Sequence, residues 1–419
     1  MYLRRIMLNN IRDFSDFEVN FENPDDKSAR LWTLLVGGNG VGKTTLLRAV
    51  ALGFASEADA NAMIASPLAR MINDQNRPAS IHLEISEKRD DKNFEILETI
   101  IDWVDDHEAV RTIRKLPSWA SKAFVAGYGV ARIRTGRDSV RPRRLIDSAE
   151  TLFFYDSLLT PVELTMRRLQ DFVGTEKYDL AMRNLIEALD LPPHTEISFP
   201  AGGGVEIRSG PDRAPHRLEH WADGYRLNFT WIADFFGAAM AADALTRDGT
   251  LRGLLLLDEI EQHTHPNIQD TLVIELKKLW PELQVIATTH SPLVVLGTDP
   301  SELVVLKRDH LGKVNAELGP SSFVGFTAED ILTDKAIFDT DARSVSDKAM
   351  LDQYKKLTER DDDDLQPDER KELAQLSSRL RGLTGRSTPD GQEASHRAVD
   401  EDEANLVNDL KALREKYGL

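Results

Sequence analysis

The sequence predicts an α/β fold built on a parallel core sheet, followed by a charged helical appendage. Three observations predict it. Strand-like apolar runs alternate with helical spacings between Arg30 and Leu306. A glycine-rich turn, Gly37-Gly38-Asn39-Gly40-Val41-Gly42-Lys43-Thr44, stands between the first buried strand and a helix. Four consecutive leucines, Leu254–Leu257, end in Asp258-Glu259, the pattern of a fully buried strand with an acidic tip.

Taken in order, Phe17, Val19 and Phe21 alternate with Glu18, Asn20 and Glu22, and Ile81, Leu83 and Ile85 alternate likewise, so the N-terminal region reads as β-structure. Arg30–Val36 reads as a buried strand, Thr45–Leu52 as a helix start, and Ala123–Gly129 as a buried strand ending in a turn. Leu164, Leu169, Phe172, Leu180, Leu185, Ile186 and Leu189 keep a helical spacing that Pro192-Pro193 stops, which predicts a helical insertion at about 147–195. Ile197–Phe199 and Val205–Ile207 read as a hairpin across Gly202-Gly203-Gly204. A helix over Ala222–Leu245 precedes the leucine strand. A helix over Ile268–Leu279 and strands at Leu283–Ala287 and Leu303–Leu306 complete the series. This gives a head over residues 1–330, a helical hairpin over 331–385, and a flexible linker with a terminal helix over 386–419. Leu373, Leu376, Leu380 and Leu383 line one helical face. That stripe is too narrow for a core of its own, which predicts docking on the head, a second subunit or a partner. The run Asp361–Asp364 reads as a solvated turn, because four adjacent side chains do not converge on an ion.

Composition sets limits. The 419 residues carry a net charge of -18 and no cysteine, so neither a disulfide framework nor a thiolate zinc site is available, in keeping with a reducing cytoplasm. Met1–Leu8 turns polar too soon for a signal peptide. The apolar run Trp231–Leu245 carries Asp234 and Asp243, so it predicts core and no membrane partner. Such a charge repels nucleic acid unless basic residues are segregated. Arg132, Arg134, Arg137, Arg141, Arg143 and Arg144, opposed only by Asp138, form one such segment. It reads either as a solvated loop or as a phosphate contact, on nucleic acid or on a nucleotide.

The glycine-rich turn fits the pattern G-x-x-x-x-G-K-[ST] at every fixed position. In such a loop the backbone N–H groups at Gly37, Asn39, Gly40 and Gly42, and Thr45 at the helix start, surround phosphate oxygens. Lys43 reaches the terminal phosphates and Thr44 offers a hydroxyl to Mg²⁺. The strand tip supplies Asp258 for the same ion, held through water. Glu259 is placed to polarise a water in line with the γ-phosphate of ATP. The strand Leu283–Ala287 ends in Thr288-Thr289-His290-Ser291-Pro292, and His290 stands at its tip as a γ-phosphate contact.

Gly37–Thr44, Asp258-Glu259 and Thr289–Pro292 resemble the Walker A, Walker B and switch-histidine elements of ABC-type ATPases. Asp258–Pro266 resembles the Asp-Glu-Ile-Glu-x-His-x-His-Pro run of the RecF/SMC-like group. Leu8–Phe14 resembles that group's N-terminal strand motif, which implies a nucleotide contact for Arg12, and Phe124–Arg132 its Tyr-Gly-x-x-Arg segment. The resemblance covers about residues 1–310. Ala328–Asp334 with Ile337-Phe338 and the helical hairpin is similar to the ATPase subunits of bacterial antiphage systems, the PtuA type of Septu and certain retrons.

The resemblance implies an ATP-sandwich dimer in which Trp221–Arg226, with Asp223 and Gly224, caps the nucleotide held by the second head. Family members have serine where this chain has Ala222, which removes one hydrogen bond to the γ-phosphate, worth about 1.5–3 kcal/mol, and implies slow turnover. His263 and His265 are assigned to the phosphate site and a dimer loop rather than to zinc. About 180 residues separate phosphate loop and signature, too few for a long coiled coil, and sustained heptads are absent. The implied function is a sensor or regulatory ATPase that controls a nuclease partner. A RecF-like repair clamp, a transporter ATPase and a nucleotide-locked scaffold are the alternatives.

Overall fold

The computed structural model describes residues 1–66, 70–120, 123–133, 135–136, 148–189, 191–192, 194–200, 204–210, 213–340, 345–358, 360 and 366–384. Strand β1 (Tyr2–Asn9) pairs with β2 (Phe17–Asn20) and leads to β3 (Trp32–Val36), the glycine-rich loop and helix α1 (Lys43–Phe54). Helix α2 (Glu57–Ile64), β4 (Ala79–Ser86), β5 (Glu95–Val104), β6 (His107–Arg114) and β7 (Val125–Tyr128) follow. Next come α3 (Val162–Val173), α4 (Thr175–Ala188), β8 (Thr195–Ser198), β9 (Glu206–Ser209) and β10 (His216–Arg217). Then come α5 (Asp223–Ala241), β11 (Leu254–Leu257), α6 (Pro266–Leu279), β12 (Gln284–Thr288), α7 (Pro292–Leu296), β13 (Leu303–Arg308), β14 (Val314–Leu318) and α8 (Ala328–Thr333).

The main sheet runs β14-β13-β3-β12-β11-β7. All neighbours are parallel except the edge strand β14. Its strands alternate between two cores. Leu255, Leu257, Leu34, Val36, Val285 and Ala287 pack into the layer holding α5 and α6. Leu254, Leu256, Leu35 and Ile286 face α1 and the antiparallel sheet β2-β1-β4-β5-β6. Burial on both faces is why these strands read as unbroken apolar runs. Helix α1 lies between the sheets, touching β4 and β5 on one and β7, β11 and β12 on the other. At Gly53 an added Cβ would stand 2.6 Å from Leu83 Cδ1, so glycine lets helix and sheet approach.

Several boundaries move. The Leu8–Phe14 strand motif is strand only to Asn9; Asn10 and Arg12 take φ of 56° and 45°. The Asn10 amide instead serves the Asp74 loop, accepting from Asp74 N at 2.9 Å and donating to the carbonyls of Asp74 and Arg77. Helix α5 stops at Ala241, short of Leu245. Asp243 at φ 55° ends it, with Asp243 N–H on Met240 O and Ala244 N–H on Ala239 O, a Schellman closure. The β5–β6 hairpin turns through Asp105-Asp106, both at positive φ. The predicted hairpin over 197–207 forms as β8 and β9, and β10 adds a third strand.

The chain divides into two compact units, Met1–Thr340 and Asp341–Leu419. In the second, α9 (Val345–Thr358) and α10 (Pro367–Thr384) build a small cluster of Leu351, Tyr354, Leu357 and Leu376, with Leu373 against it. The expectation that this stripe needs a surface outside the hairpin is corrected at Leu373 and Leu376, because α9 covers them. The side chains of Leu380 and Leu383, the Asp361–Asp364 turn, and the predicted linker and terminal helix of 386–419 lie outside the described residues. Among the described residues no helix is long and apolar enough to cross a membrane.

One side chain joins the sheets. Gln284, 1% exposed at the start of β12, accepts from Leu3 N at 2.8 Å and donates to Leu3 O at 2.8 Å and Arg30 O at 3.0 Å. Gln284→Ala leaves three buried backbone groups unpaired and is expected to cost at least about 2 kcal/mol. Denaturant unfolding checks this; an unshifted midpoint with an unchanged slope would show that the bridge contributes nothing.

Candidate functional site

The loops that follow β3, β11 and β12 meet at the C-terminal edge of the main sheet, the side where α/β folds bind ligands. In the first loop Gly37 takes φ 141°, and a Cβ there would stand 2.3 Å from Leu306 O. Gly42 takes φ 98°, and a Cβ there would stand 2.5 Å from the Phe14 ring. Phe14 in turn packs on Phe17 with centroids 4.2 Å apart, so the Asp13-Phe14 end of the N-terminal motif supports the loop from below. Arg308 at the end of β13 donates to Gly40 O and to Asp13 Oδ2, both at 2.7 Å. Gly38, Asn39 and Gly40 are exposed at the loop's tip.

Lys43 is buried, and its ammonium donates to Gly37 O at 2.7 Å and Gly38 O at 3.1 Å. Burial pulls its pKa from 10.5 to about 8, against the upward pull of Asp258, Glu259 and Glu261. The Thr44 hydroxyl donates to Asp258 Oδ2 at 2.8 Å and the Thr288 hydroxyl to Asp258 Oδ1 at 2.7 Å. Thr288 Oγ1 also accepts from Glu259 N at 2.8 Å, so one hydroxyl sets both acidic residues. Glu259 sits at φ 48°, a left-handed conformation that costs a non-glycine residue about 1–2 kcal/mol. Burial first, then the charges of Asp258 and Glu261, raise its pKa.

Glu261 accepts from the Thr289 hydroxyl and from His290 N, each at 2.7 Å, and so anchors the loop after β12. The His290 ring stays at the surface; partial burial and the Lys43 ammonium hold its pKa below the ordinary value. The Ser291 hydroxyl accepts from Leu293 N and Val294 N, capping α7, and donates to Gln269 Oε1 at 2.6 Å.

Arg132 corrects the expected basic strip. It is 1% exposed, and its guanidinium donates to Gly129 O at 3.0 Å, Asp258 O at 2.6 Å and Glu259 O at 2.7 Å. It is therefore a buried member of the acidic strand tip and is not available to nucleic acid. Arg134, Arg137, Arg141, Arg143 and Arg144 lie outside the described residues.

Asp223 and Gly224 open helix α5. Asp223 Oδ1 accepts from Arg226 at 2.7 Å, and a Cβ on Gly224 would stand 2.4 Å from His263 O. Asn228 donates to Gly224 O at 3.1 Å and to Thr264 Oγ1 at 3.2 Å. These contacts tie the helix start to the loop beyond β11, rather than to the glycine-rich loop. Ala222 is the N-cap, with no side-chain cap bond. His265 caps α6 by accepting from Asn267 N. Arg12 donates to Arg70 O at 2.6 Å and Thr45 Oγ1 at 3.4 Å, which puts its guanidinium beside the first turn of α1. Thr288, Glu261 and Asn228 were not singled out from sequence. Glu261 lies inside the Asp258–Pro266 run and Thr288 directly before Thr289–Pro292, but neither residue type marks the partner it bonds.

A glycine-rich loop after a central strand, beside an acidic strand tip and a Thr-His tip, is the build of a phosphate-loop ATPase head. Residues 1–150 match a family model described as "AAA ATPase domain", and residues 132–296 one described as "AAA domain, putative AbiEii toxin, Type IV TA system". The two matches overlap at residues 132–150 and together span residues 1–296. The chain is similar to the Septu protein PtuA of Bacillus mycoides, 24% identical over 351 residues, which cover 81% of this chain and 45% of that protein. It is also similar to the retron Ec83 probable ATPase of Escherichia coli, 33% identical over 112 residues, 26% of this chain and 19% of that one. The chain thus spans less than half the length of these relatives. Among solved structures, the SMC head domain from Thermotoga maritima aligns with 76% of this chain and 100% of its own at 13% identity and a TM-score of 0.42.

Lys43 gives the site a pH signature. Unfolded, the group keeps its proton up to about 10.5; folded, it loses it near 8. Its burial therefore costs stability in full below pH 8, and the cost fades as pH rises to 10.5. Lys43→Met is expected to flatten that rise, read as the pH slope of unfolding free energy. An identical slope in both proteins would show that Lys43 ionises normally.

Proposed function

We propose that the chain is an ATP-binding, ATP-hydrolysing head that controls a nuclease partner in an antiphage complex through ATP-dependent pairing of two heads. The observation that carries this is the Thr44–Asp258–Thr288–Glu259 set of hydrogen bonds, which gathers loop, ion-binding and water-activating groups at one sheet edge. The similarity to Septu PtuA and retron ATPases supports the defence setting.

In this reading the N–H groups of Gly37–Thr45 receive the phosphates, and the Lys43 ammonium leaves the loop carbonyls for phosphate oxygens, regaining charge stabilisation. Mg²⁺ fits the donors present, since the Thr44 hydroxyl and Asp258 carboxylate are hard oxygens already 2.8 Å apart. Among the described residues no group of three or more His, Cys, Asp or Glu gathers to hold an ion, so Thr44 and Asp258 would hold Mg²⁺ together with oxygens from phosphate and water. The ion would neutralise charge developing on the phosphates. Glu259, its pKa raised, takes a proton from the attacking water, and His290 faces the γ-phosphate. Asp223 and Gly224, turned away from their own loop, meet the nucleotide of a second head. The unit of residues 341–419 serves as a partner-facing appendage.

Glu259→Gln keeps the shape and loses the base. ATP is expected to bind with parental affinity, persist, and hold paired heads and any co-expressed partner together. Calorimetry, single-turnover hydrolysis and light scattering check this; parental turnover would assign the base elsewhere. Ala222→Ser is expected to raise turnover or tighten ATP-driven pairing, since it adds a hydroxyl where a hydrogen bond to a charged group is worth about 1.5–3 kcal/mol. A fall in both would remove Trp221–Arg226 from the trans contact.

A further inference from the structure

Arg132 carries a buried charge that the hydrolysis reading leaves without a role. Burying a guanidinium is costly unless its donors are met. Here Nη1 and Nη2 donate to main-chain oxygens of the two acidic residues rather than to their carboxylates, Asp258 O at 2.6 Å and Glu259 O at 2.7 Å, while the buried Nε has no hydrogen-bond partner among the described residues. A third bond, to Gly129 O at 3.0 Å, fixes the group on the end of β7. A packing role would need no charge. The residue whose carbonyl it grips, Glu259, is the one held at φ 48°. The Glu259 N–H donates to Thr288 Oγ1 and so holds the other end of that residue.

The clamp continues toward α5. The Arg132 guanidinium lies over the Trp231 ring, 5.8 Å from its centroid. Trp231 Nε1 donates to Asn228 Oδ1 at 3.0 Å, and Asn228 donates to Gly224 O and Thr264 Oγ1. An unbroken set of contacts thus runs from the Glu259 main chain to the first turn of α5.

We propose that Arg132 is a positioning residue: it clamps the carbonyls of Asp258 and Glu259, fixes the left-handed turn that aims the Glu259 carboxylate, and ties that turn to the start of α5. The inference rests on the reading of Glu259 as the base. A planar guanidinium spans two carbonyls at once, which a lysine ammonium on its flexible stem does not reproduce.

The test uses the full chain with Arg132→Ala, Arg132→Lys and Glu259→Gln, ATP affinity by calorimetry, and kcat and KM by phosphate release. Arg132→Ala is expected to bind ATP within about threefold of the parent and to lose about 100-fold in kcat, the scale of an ångström's misplacement of a reacting group. Arg132→Lys is expected to recover part of kcat with no change in affinity. Should Arg132→Ala not fold, Arg132→Lys decides alone: reduced kcat at parental affinity supports the clamp, and parental kcat overturns it. Affinity and kcat falling together in a folded variant also overturn it. Parental turnover in Glu259→Gln sinks the base assignment and this inference with it. An inactive Glu259→Gln beside a fully active Arg132→Ala sinks the positioning role alone.

Discussion

The structure depends on one buried carboxylate. Asp258 closes β11 and takes a hydroxyl from each side, Thr44 from the loop after β3 and Thr288 from the end of β12. A charge 3% exposed is tolerated only when its oxygens are met by donors, and here each oxygen receives one. Meeting that requirement sets the relative height of three loops whose strands are not all neighbours: β12 lies between β3 and β11. The same requirement places Glu259, because Thr288 Oγ1 gives to Asp258 and accepts from Glu259 N. A group that needs donors for its own burial thereby builds the geometry of the groups around it.

Backbone freedom and strain divide between two loops. Gly37 and Gly42 occupy positive φ where a Cβ would meet Leu306 O and the Phe14 ring, so no other residue fits without displacing them. Across the edge of the sheet, Glu259 and His263 hold positive φ with full side chains. Those conformations persist because surrounding bonds over-determine them: Thr288 and Arg132 on the Glu259 peptide, Gly224 and Asn228 against the His263–Thr264 turn. The glycine-rich loop uses glycine to make its shape free of strain, while the acidic loop accepts strain to fix the direction of its side chains.

Much of this was legible in the sequence. The strands of the parallel sheet showed themselves because burial on both faces leaves no polar position to break the run, as at Leu254–Leu257. The glycine-rich loop showed itself because its residue types answer to φ values and hydrogen-bond roles. Other parts were hidden for physical reasons. The β5–β6 turn uses Asp105-Asp106, which lacks the glycine that usually marks such a hairpin. Arg132 stands first in a basic run and reads as surface charge; its burial depends on Trp231 and on carbonyls 126 and 127 residues away. Thr288 and Glu261 act through partners about 30 residues distant, and a strand-tip threonine or one acid among several carries no mark of such a bond. The α9–α10 cluster was missed because a narrow stripe on one helix says nothing of the matching stripe on its neighbour.

Ala222 shows how magnitudes separate folding from function at the start of α5. A serine N-cap is worth about 1 kcal/mol to a helix, and alanine forgoes it. Helix α5 does not need that contribution: Leu227, Phe229, Trp231, Ile232, Phe235 and Phe236 are all buried, each side chain worth about 1.5–3 kcal/mol. Its first turn is held from outside as well, by Asn228 on Gly224 O and Thr264. The helix therefore forms and stays in place with either residue at 222. A serine N-cap carries a hydroxyl that can cap its own first turn or donate to an anion from another molecule, whereas alanine offers such an anion only the backbone N–H groups. The identity of residue 222 thus bears little on whether this head folds and directly on which hydrogen bonds its exposed helix start can offer.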